Sequence, residues 1–206
     1  MDYFALLGFQ RHPWIDARNV DEKFRELSQS SHPDLYFGQD SDSRKLAENQ
    51  YADLNHASMV LKDPVKRLRH FIELETGNPP AVVESLDGDE VECFMSVNQT
   101  IRRLSNLVSK AGQVESPILR LGLARESIAL IGEGEGSASG LRDRILSLET
   151  QLQDTPTPPV GSDTERSTYF RKLERVFRSL SHYSKWHSQL REKIFEVQSI
   201  LQTSVL

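Results

Sequence analysis

The residues of this chain best suited to chemistry stand together in His32-Pro33-Asp34, where an imidazole and a carboxylate flank a proline. The ring of Pro33 pushes the preceding residue out of the α conformation, so a helix ends here and both polar side chains are expected on a rigid, exposed turn. A carboxylate held on such a turn loses little entropy when it accepts a charge-assisted hydrogen bond from a basic group. The alternative interpretation is structural: a proline that stops a helix, with His32 as its C-cap.

Two helices are predicted to hold this turn at their junction. The spacing of Val20, Phe24 and Leu27 gives the first helix an apolar face, and Asp16 offers it an N-cap. The second helix begins in the cap-rich cluster 40–43. Its apolar face comprises Leu46, Leu54, Ala57 and Leu61. We expect the two faces to pack together as an antiparallel pair.

Two shorter helices flank the pair. The stretch from Asp2 to Leu7 is predicted to form one, which is closed by Gly8. Asp63-Pro64 supplies the N-cap and first position of the other, which ends at Thr76-Gly77. The four helices define a domain over residues 1–76, and a domain of this size has a small core and marginal stability.

The remainder, residues 85–206, is also predicted to be helical. Apolar residues recur every three or four positions over 91–108 and 141–152, and a further helix is expected over 116–131. No alternation of the β type occurs anywhere in the sequence. The predicted fold class is therefore all-α: short helices around an antiparallel helix pair, followed by a C-terminal helical bundle.

Flexible segments are expected near 132–140 and 154–162. The first is rich in glycine but follows a helix and lacks the Gly-Lys-Ser/Thr of a phosphate loop, so it is predicted to be a linker. The second is rich in proline. A capping box at Ser162 and Glu165 then opens a long last helix.

The apolar stripe of this last helix keeps close to a heptad rhythm. It is interrupted at Ser184 and His187, where polar residues replace apolar ones. The interruption favours a helix of a bundle over a sustained coiled coil.

Composition and charge exclude several classes of function. At 37% hydrophobic and 27% charged residues the chain is an ordinary globular protein, and no run approaches the roughly 18 apolar residues that cross a bilayer. The net charge of −5 argues against a nucleic-acid partner. The single cysteine, Cys93, allows neither an internal disulfide nor a zinc cage of cysteines. With no secretory signal visible, a cytoplasmic protein without metal or cofactor is expected.

The N-terminal motifs, taken together, resemble a known family. An opening Tyr3-Phe-Ala-Leu-Leu-Gly8, the His-Pro-Asp turn, Asn55-x-Ala57 and Asp63-Pro64-x-x-Arg67 follow the order of a J-domain. The opening and the tail after Pro64 are most similar to the HscB branch, which serves iron–sulfur cluster assembly. The resemblance is good over residues 2–75, fair to about 105 and absent beyond.

The resemblance implies protein recognition and not catalysis. J-domain proteins are co-chaperones that drive ATP hydrolysis by DnaK-type heat-shock chaperones. In the family, the aspartate of the turn engages a basic group on the chaperone. By this resemblance Asp34 takes that role, while His32 and Pro33 fix the turn.

The family's second helix presents a basic face that steers the acidic chaperone. Lys23 and Arg25 match this face, and Arg18 is expected to assist. The departures from the family pattern are Glu26, Ser30, Ser31 and Leu35. Each lost charge weakens steering and association rate more than contact affinity, so the coupling to a general chaperone is weak or the partner is a dedicated one. The alternative is that Lys23 and Arg25 are ordinary solvated helix charges.

A client-binding site is implied further along the chain. Phe94 and Met95 resemble the apolar residues with which the HscB helical bundle binds an iron–sulfur scaffold protein. The family continues with glutamates, whereas this chain has Gln99, Arg102 and Arg103. The alternative is that Phe94 and Met95 belong to the core.

The resulting expectation is a co-chaperone that is not itself an enzyme but activates the ATPase of a DnaK- or HscA-type partner. Its client is expected to be an iron–sulfur scaffold, bound by residues 85–206. Two alternatives stay open: a J-protein with an unrelated client, and a helical adaptor that stimulates nothing. The protein is expected to be a monomer or a weak dimer.

Overall fold

The computed structural model describes residues 1–31, 41–81, 86–111 and 116–204. These residues form seven α-helices and no β-strand, which confirms the all-α fold class. The helices, in chain order, are α1 (Tyr3–Leu6), α2 (Ala17–Ser31), α3 (Ser41–Lys62), α4 (Pro64–Thr76), α5 (Gly88–Ala111), α6 (Pro117–Gln153) and α7 (Asp163–Ser204).

The chain divides into two compact units. The N-terminal unit comprises Met1–Val82 and Glu149–Phe177, and the C-terminal unit comprises Val83–Leu148 and Arg178–Leu206. Helices α6 and α7 each contribute residues to both units. This division differs from one made along the sequence alone, because the N-terminal unit also takes in the end of α6 and the start of α7.

Helices α2 and α3 pack against each other in the N-terminal unit. Lys62 at the end of α3 pairs with Asp21 near the start of α2, with 2.8 Å between Nζ and Oδ1. The rings of Phe24 and Tyr51 lie 6.0 Å apart, further along both helices. Since the end of one helix meets the start of the other, the pair is antiparallel, as the sequence predicted.

The prediction that Leu46 belongs to the core is wrong. Leu46 is largely exposed, whereas Ala47, Leu54 and Leu61 are buried. These three residues follow each other at intervals of seven, close to two helical turns, and Leu46 lies about 100° around the helix from Ala47. The buried stripe therefore passes through the small alanine and not through the leucine beside it.

Helix α1 is short and is fixed by its cap and by α4. Oδ1 of Asp2 accepts hydrogen bonds from the backbone N–H groups of Phe4 at 3.0 Å and Ala5 at 3.2 Å. The Tyr3 backbone N–H donates to Nε2 of His70 at 3.1 Å, and the buried ring of Phe4 stacks on the same imidazole. Burial lowers the pKa of His70 below 6.5, which favours the neutral ring that this bond requires.

The predicted start of α4 is confirmed. Oδ1 of Asp63 accepts from the backbone N–H groups of Val65 and Lys66, both at 3.0 Å, and Pro64 occupies the first turn. The helix ends at Gly77, whose φ of 77° is the left-handed conformation that glycine adopts without strain.

Arg67 is a buried cation that joins three segments of the N-terminal unit. Its Nε donates to the Pro13 carbonyl at 3.0 Å, Nη1 to the Leu61 carbonyl at 2.9 Å, and Nη2 to Oε1 of Glu149 at 3.3 Å. Burial lowers the pKa of its guanidinium, against the opposing effect of Glu149. The arginine of the Asp-Pro-x-x-Arg motif is thus structural, because without it two buried carbonyls would lose their donors.

The segment Glu149–Phe177 is tied to the N-terminal helices by further contacts. Nη2 of Arg166 donates to the Glu75 backbone carbonyl at 2.7 Å. The rings of Phe71 and Phe170 are 6.5 Å apart, and both side chains are buried. This segment therefore completes the small core of the N-terminal unit.

The capping box at the start of α7 is confirmed. The Ser162 N–H donates to Oε2 of Glu165 at 3.1 Å, and the Glu165 N–H donates to Oγ of Ser162 at 3.3 Å. Tyr169 of α7 contacts the connection between α6 and α7, where its hydroxyl donates to the Pro156 carbonyl at 2.8 Å. Burial raises the pKa of Tyr169 to about 12, so the hydroxyl keeps the proton that it donates.

The C-terminal unit buries one apolar core between α5, α6 and α7. The sequence predicted that Ser184 and His187 interrupt the apolar stripe of α7. The buried stripe instead continues through their neighbours Tyr183 and Trp186, which both belong to the core. The core comprises Val97, Leu104, Leu107, Leu130, Ala138, Leu141, Tyr183, Trp186, Leu190, Ile194 and Val197.

The prediction of a flexible linker at 132–140 is corrected by the structure, in which this segment lies within α6. A Cβ added at Gly134 would come within 3.1 Å of the Ile194 side chain, so α6 packs closely on α7 there and a larger residue would require Ile194 to shift. The acidic residues between the glycines bind neighbouring helices, Glu133 through Arg103 and Glu135 through Arg191. The pattern therefore serves helix packing at one position and ion pairing at two.

Candidate functional site

The predicted turn His32-Pro33-Asp34 lies outside the described residues. The structure describes the helices on either side of it, with α2 ending at Ser31 and α3 beginning at Ser41. The sequence analysis placed the tripeptide between the two members of an antiparallel helix pair, and α2 and α3 form such a pair. The roles of its three side chains stay predictions.

The basic residues of α2 do not form a single patch. Arg18 and Arg25 are seven residues apart and share a face, with Glu22 between them. Lys23 is two positions from Arg25 and so lies about 200° around the helix. It pairs with Glu26, with 2.8 Å between Nζ and Oε2.

The arginine at the start of α2 is also balanced by an acidic neighbour. Nη2 of Arg18 lies 3.4 Å from Oδ2 of Asp16, although the arginine side chain is almost fully exposed. A hydrogen bond from the Arg18 backbone N–H lowers the pKa of Asp16, which confirms Asp16 as the cap of this helix. We name Arg18, Lys23 and Arg25 with their acidic neighbours Asp16, Glu22 and Glu26 the α2 charged surface.

Three apolar residues near the start of α5 lie at the surface. Met95 is 64% exposed and Phe94 is 36% exposed. Val91, the first residue of the apolar pattern over 91–108, is exposed as well, so the pattern does not mark a buried residue at this position. Val91 and Met95 are four apart and share a face, which turns outward because Val97 and Leu104 face the core. We name Val91, Phe94 and Met95 the α5 apolar surface.

Phe94 is supported from beneath by aromatic side chains that the sequence did not single out. Its ring lies 5.4 Å from that of Trp186, and the ring of His182 stacks on the same indole at 5.5 Å. Nδ1 of His182 is 3.4 Å from Oε2 of the buried Glu90. The spacing of 182 and 186 on one helical face was the signal that could have placed the two together.

The rim of the α5 apolar surface is neutral to basic. Asn98 and Arg102 continue the face of Val91 and Met95 at intervals of three and four residues. Arg103 points elsewhere and is engaged by Glu133 across to α6, with 3.3 Å between Nη2 and Oε1. Of the two arginines, only Arg102 is therefore positioned beside the apolar residues.

Other kinds of site have little support in the described residues. No three histidine, cysteine, aspartate or glutamate side chains among them are arranged to hold a metal ion. Cys93 is half-buried, and burial raises the pKa of its thiol, which keeps the group protonated. Among the described helices, none combines the length and apolar character needed to cross a membrane.

Comparison with curated proteins identifies the family. The chain is 34% identical over 184 residues to a co-chaperone protein HscB homolog of Haemophilus ducreyi, a match that spans 87% of this chain and 98% of that protein. It is 32% identical over 74 residues to the HscB homolog of Shewanella woodyi, covering 36% of this chain and 42% of that one. The chain belongs to the HscB co-chaperone family. The similarity over 184 residues also shows that the resemblance does not stop near residue 105.

Solved structures share the fold. The chaperone HscB from Vibrio cholerae has a TM-score of 0.57 at 19% identity, covering 98% of this chain and 99% of that one. The human co-chaperone protein HscB has a TM-score of 0.57 at 15% identity, covering 94% of this chain and 82% of that one. No family model matches the chain.

Proposed function

We propose that this protein recruits an iron–sulfur scaffold client to a DnaK- or HscA-type chaperone and stimulates ATP hydrolysis by that chaperone. Asp34 would engage the chaperone, with His32 and Pro33 fixing the turn and the α2 charged surface steering the encounter. The protein performs no catalysis of its own in this scheme. The reducing conditions implied by a lone half-buried thiol, Cys93, suit the cytoplasm.

The observation that carries the proposal is the extent of the family relationship. A match that spans 98% of a curated HscB homolog includes both the N-terminal helices and the helical bundle. The His-Pro-Asp tripeptide falls in the sequence between α2 and α3, and its carboxylate is of the kind that accepts a charge-assisted hydrogen bond from a basic partner. Family membership and the intact tripeptide together favour a stimulating co-chaperone over an inert adaptor.

Substitution of Asp34 tests the chaperone contact. Asp34→Asn should abolish stimulation of the partner's ATPase in single-turnover assays, because the neutral amide loses the charge-assisted bond. Helical content and melting temperature should stay nearly unchanged. Asp53→Asn, at an exposed aspartate of α3, is the matched control. Stimulation at the wild-type level by Asp34→Asn would remove the mechanism, and a large fall in melting temperature would show that Asp34 is a structural cap.

The client would bind the α5 apolar surface. Exposed Phe94 and Met95 offer anchors of the kind that dominate interfaces, and Trp186 holds the first of them in place. The neutral to basic rim then requires a scaffold whose facing patch is acidic, since like charges across an interface cost several kcal/mol of specificity. We therefore expect poor binding to the scaffold of a standard HscB system, and binding to the scaffold of the protein's own organism if that scaffold has a compensating acidic patch.

An unrelated client is the second candidate, and Arg102 is the observation that favours it. An exposed arginine occupies the part of the surface where the family resemblance implies glutamates. Calorimetric titration of both scaffolds separates the candidates. Tight binding of the foreign scaffold would show that the missing glutamates do not matter. Binding of neither scaffold at about 100 µM would favour the unrelated client.

A further inference from the structure

One face of α6 carries large apolar residues and two charged residues, and it is turned outward in the C-terminal unit. Leu121 is 60% exposed, Ile128 is 66% exposed, and Leu146 is about half exposed. Ile128 and Leu146 are eighteen residues apart, which is five full helical turns, and Leu121 lies close to two turns before Ile128. Arg125 and Asp143 are also eighteen residues apart on this face, and both are exposed. We name this set the α6 outer face.

The middle of the same face includes two glycines that the described fold does not require. Gly132 and Gly136 are both exposed, and a Cβ added at either of them would meet no atom within 4 Å. Each glycine in a helix interior costs about 0.5–1 kcal/mol relative to alanine. Gly134 differs, since a Cβ there would meet the Ile194 side chain at 3.1 Å. The two outward glycines leave a shallow strip between the large apolar residues.

We propose that the α6 outer face binds a second copy of this chain, with the two α6 helices antiparallel about a two-fold axis beside residue 134. Helical geometry then sets Leu121 against Leu146 of the second copy, and Ile128 over Ser139 of the second copy. Arg125 faces Asp143 of the second copy, and the symmetry repeats each contact. The glycine strip lies at the crossing, where two backbones can approach closely.

Charge complementarity selects this occupant and this direction. Arg125 and Asp143 are about 27 Å apart along the helix, at equal distances on either side of residue 134. An antiparallel pair therefore forms two ion pairs, whereas a parallel pair would set arginine against arginine and aspartate against aspartate. The ion pairs that α6 makes with described residues of the C-terminal unit use Glu126, Glu133 and Glu135, and neither Arg125 nor Asp143 is part of one.

The edge of the face is compatible with the same arrangement. Glu135 follows Ile128 by seven residues, close to two turns, so two copies of it would come close across the axis. Each is already neutralised by Arg191 of its own chain, so the like charges do not oppose pairing directly. A contact made by a single helix from each chain is small, and small interfaces bind weakly, so a dissociation constant in the micromolar range is expected.

Sedimentation velocity on the full chain tests the proposal between about 5 and 500 µM, a range that brackets a weak dimer. The wild type should move with concentration from the 23.5 kDa of one chain toward twice that mass. Arg125→Asp alone and Asp143→Arg alone should each abolish the shift, because each sets like charges together. The double variant Arg125→Asp with Asp143→Arg should restore it. Arg171→Asp, at an exposed arginine of α7, should leave the shift unchanged.

A second variant probes the glycine strip without using charge. Gly136→Leu adds a side chain that meets nothing in one chain, so helical content and melting temperature should be kept or raised, while the dimer should be lost. A wild type that stays monomeric over the whole range would overturn the proposal. So would a dimer that survives the single charge variants, or a double variant that fails to recover it.

Discussion

The α2 charged surface and the α5 apolar surface differ in whether their exposed side chains already have partners within the same chain. On the α2 charged surface, Lys23 and Arg18 are already paired with acidic residues of the same helix. On the α5 apolar surface, Met95 projects into solvent and Phe94 rests on Trp186. One surface must exchange partners in order to bind, whereas the other has only water to release.

Because of this difference, the two surfaces are expected to act on different steps of binding. Ion pairs between exposed side chains are worth at most about 1 kcal/mol and weaken with salt, so the α2 charged surface acts on association rate. Burial of apolar residues is insensitive to moderate salt and acts on dissociation. A co-chaperone with this division would meet its chaperone briefly and hold its client for longer.

The largest expected effect is on client binding. Phe94→Ala removes an anchor that Trp186 holds in place, and such anchors are worth about 2 kcal/mol, or roughly a thirtyfold loss of affinity. Titration of the client against the variant measures this loss, while chaperone stimulation without client should not change. Phe195→Ala is the matched control, since Phe195 is an exposed phenylalanine on α7. An equal loss from both variants would show that the α5 apolar surface has no special role.

The next effect is on the chaperone encounter. Glu26→Lys releases Lys23 from its ion pair and adds a second positive charge, so the association rate should rise by about threefold at low salt. Stopped-flow measurements should find the gain shrinking as the screening length falls to about 8 Å at physiological ionic strength. Glu192→Lys on α7 makes the same change of charge elsewhere. A gain that ignores salt would mean that α2 does not steer the chaperone.

Substitution of Glu22 tests which face of α2 steers the chaperone. Glu22 separates Arg18 from Arg25 on their shared face. Glu22→Gln should join the two arginines into one basic strip and raise the association rate by about twofold, less than Glu26→Lys because only one charge is removed. If the order of the two variants were reversed, the face of Arg18 and Arg25, and not Lys23, would be the main docking face.

The smallest effect concerns the stability of the unit that carries α2. Burial lowers the pKa of His70 below its ordinary 6.5, so the unfolded chain takes up a proton before the folded one does. The contribution of neutral His70 to the stability of the folded protein is complete above about pH 6.5, and it is lost as the pH falls through the pKa of His70 in the folded state. Denaturant unfolding of His70→Gln should therefore show a weaker fall in stability than the wild type on acidification. Identical slopes for the two proteins would exclude His70 as the titrating group.

Local signals in the sequence were sufficient for most of the helix boundaries. Asp63-Pro64 and the box of Ser162 and Glu165 each act through neighbours within four residues, and the structure confirms both. The close packing around Gly134 could not be predicted in this way. It involves Ile194, which α7 supplies from sixty residues further along the chain.

The candidate sites were predicted unevenly for the same reason. The motifs of the tripeptide and its flanking helices are contiguous, so their order alone indicated the family. The exposure of Val91 was missed because an apolar residue at helical spacing has the same pattern whether or not another helix covers it. The ion pair of Lys23 with Glu26 was available from their spacing of three, and it changes how the basic residues of α2 are understood.

The hydrogen bonds of Arg67 determine when the N-terminal unit can finish folding during synthesis. Its carboxylate partner, Glu149, and the phenylalanine that packs on Phe71 belong to the segment Glu149–Phe177. The N-terminal helices therefore leave the ribosome before the residues that finish their core exist. Positions 83 to 177 are 95 residues, and at roughly 5–20 residues per second their synthesis takes about 5–20 s. During that interval α2 belongs to an unfinished unit, so nascent chains arrested before residue 149 should be cleaved by protease far faster than the released protein.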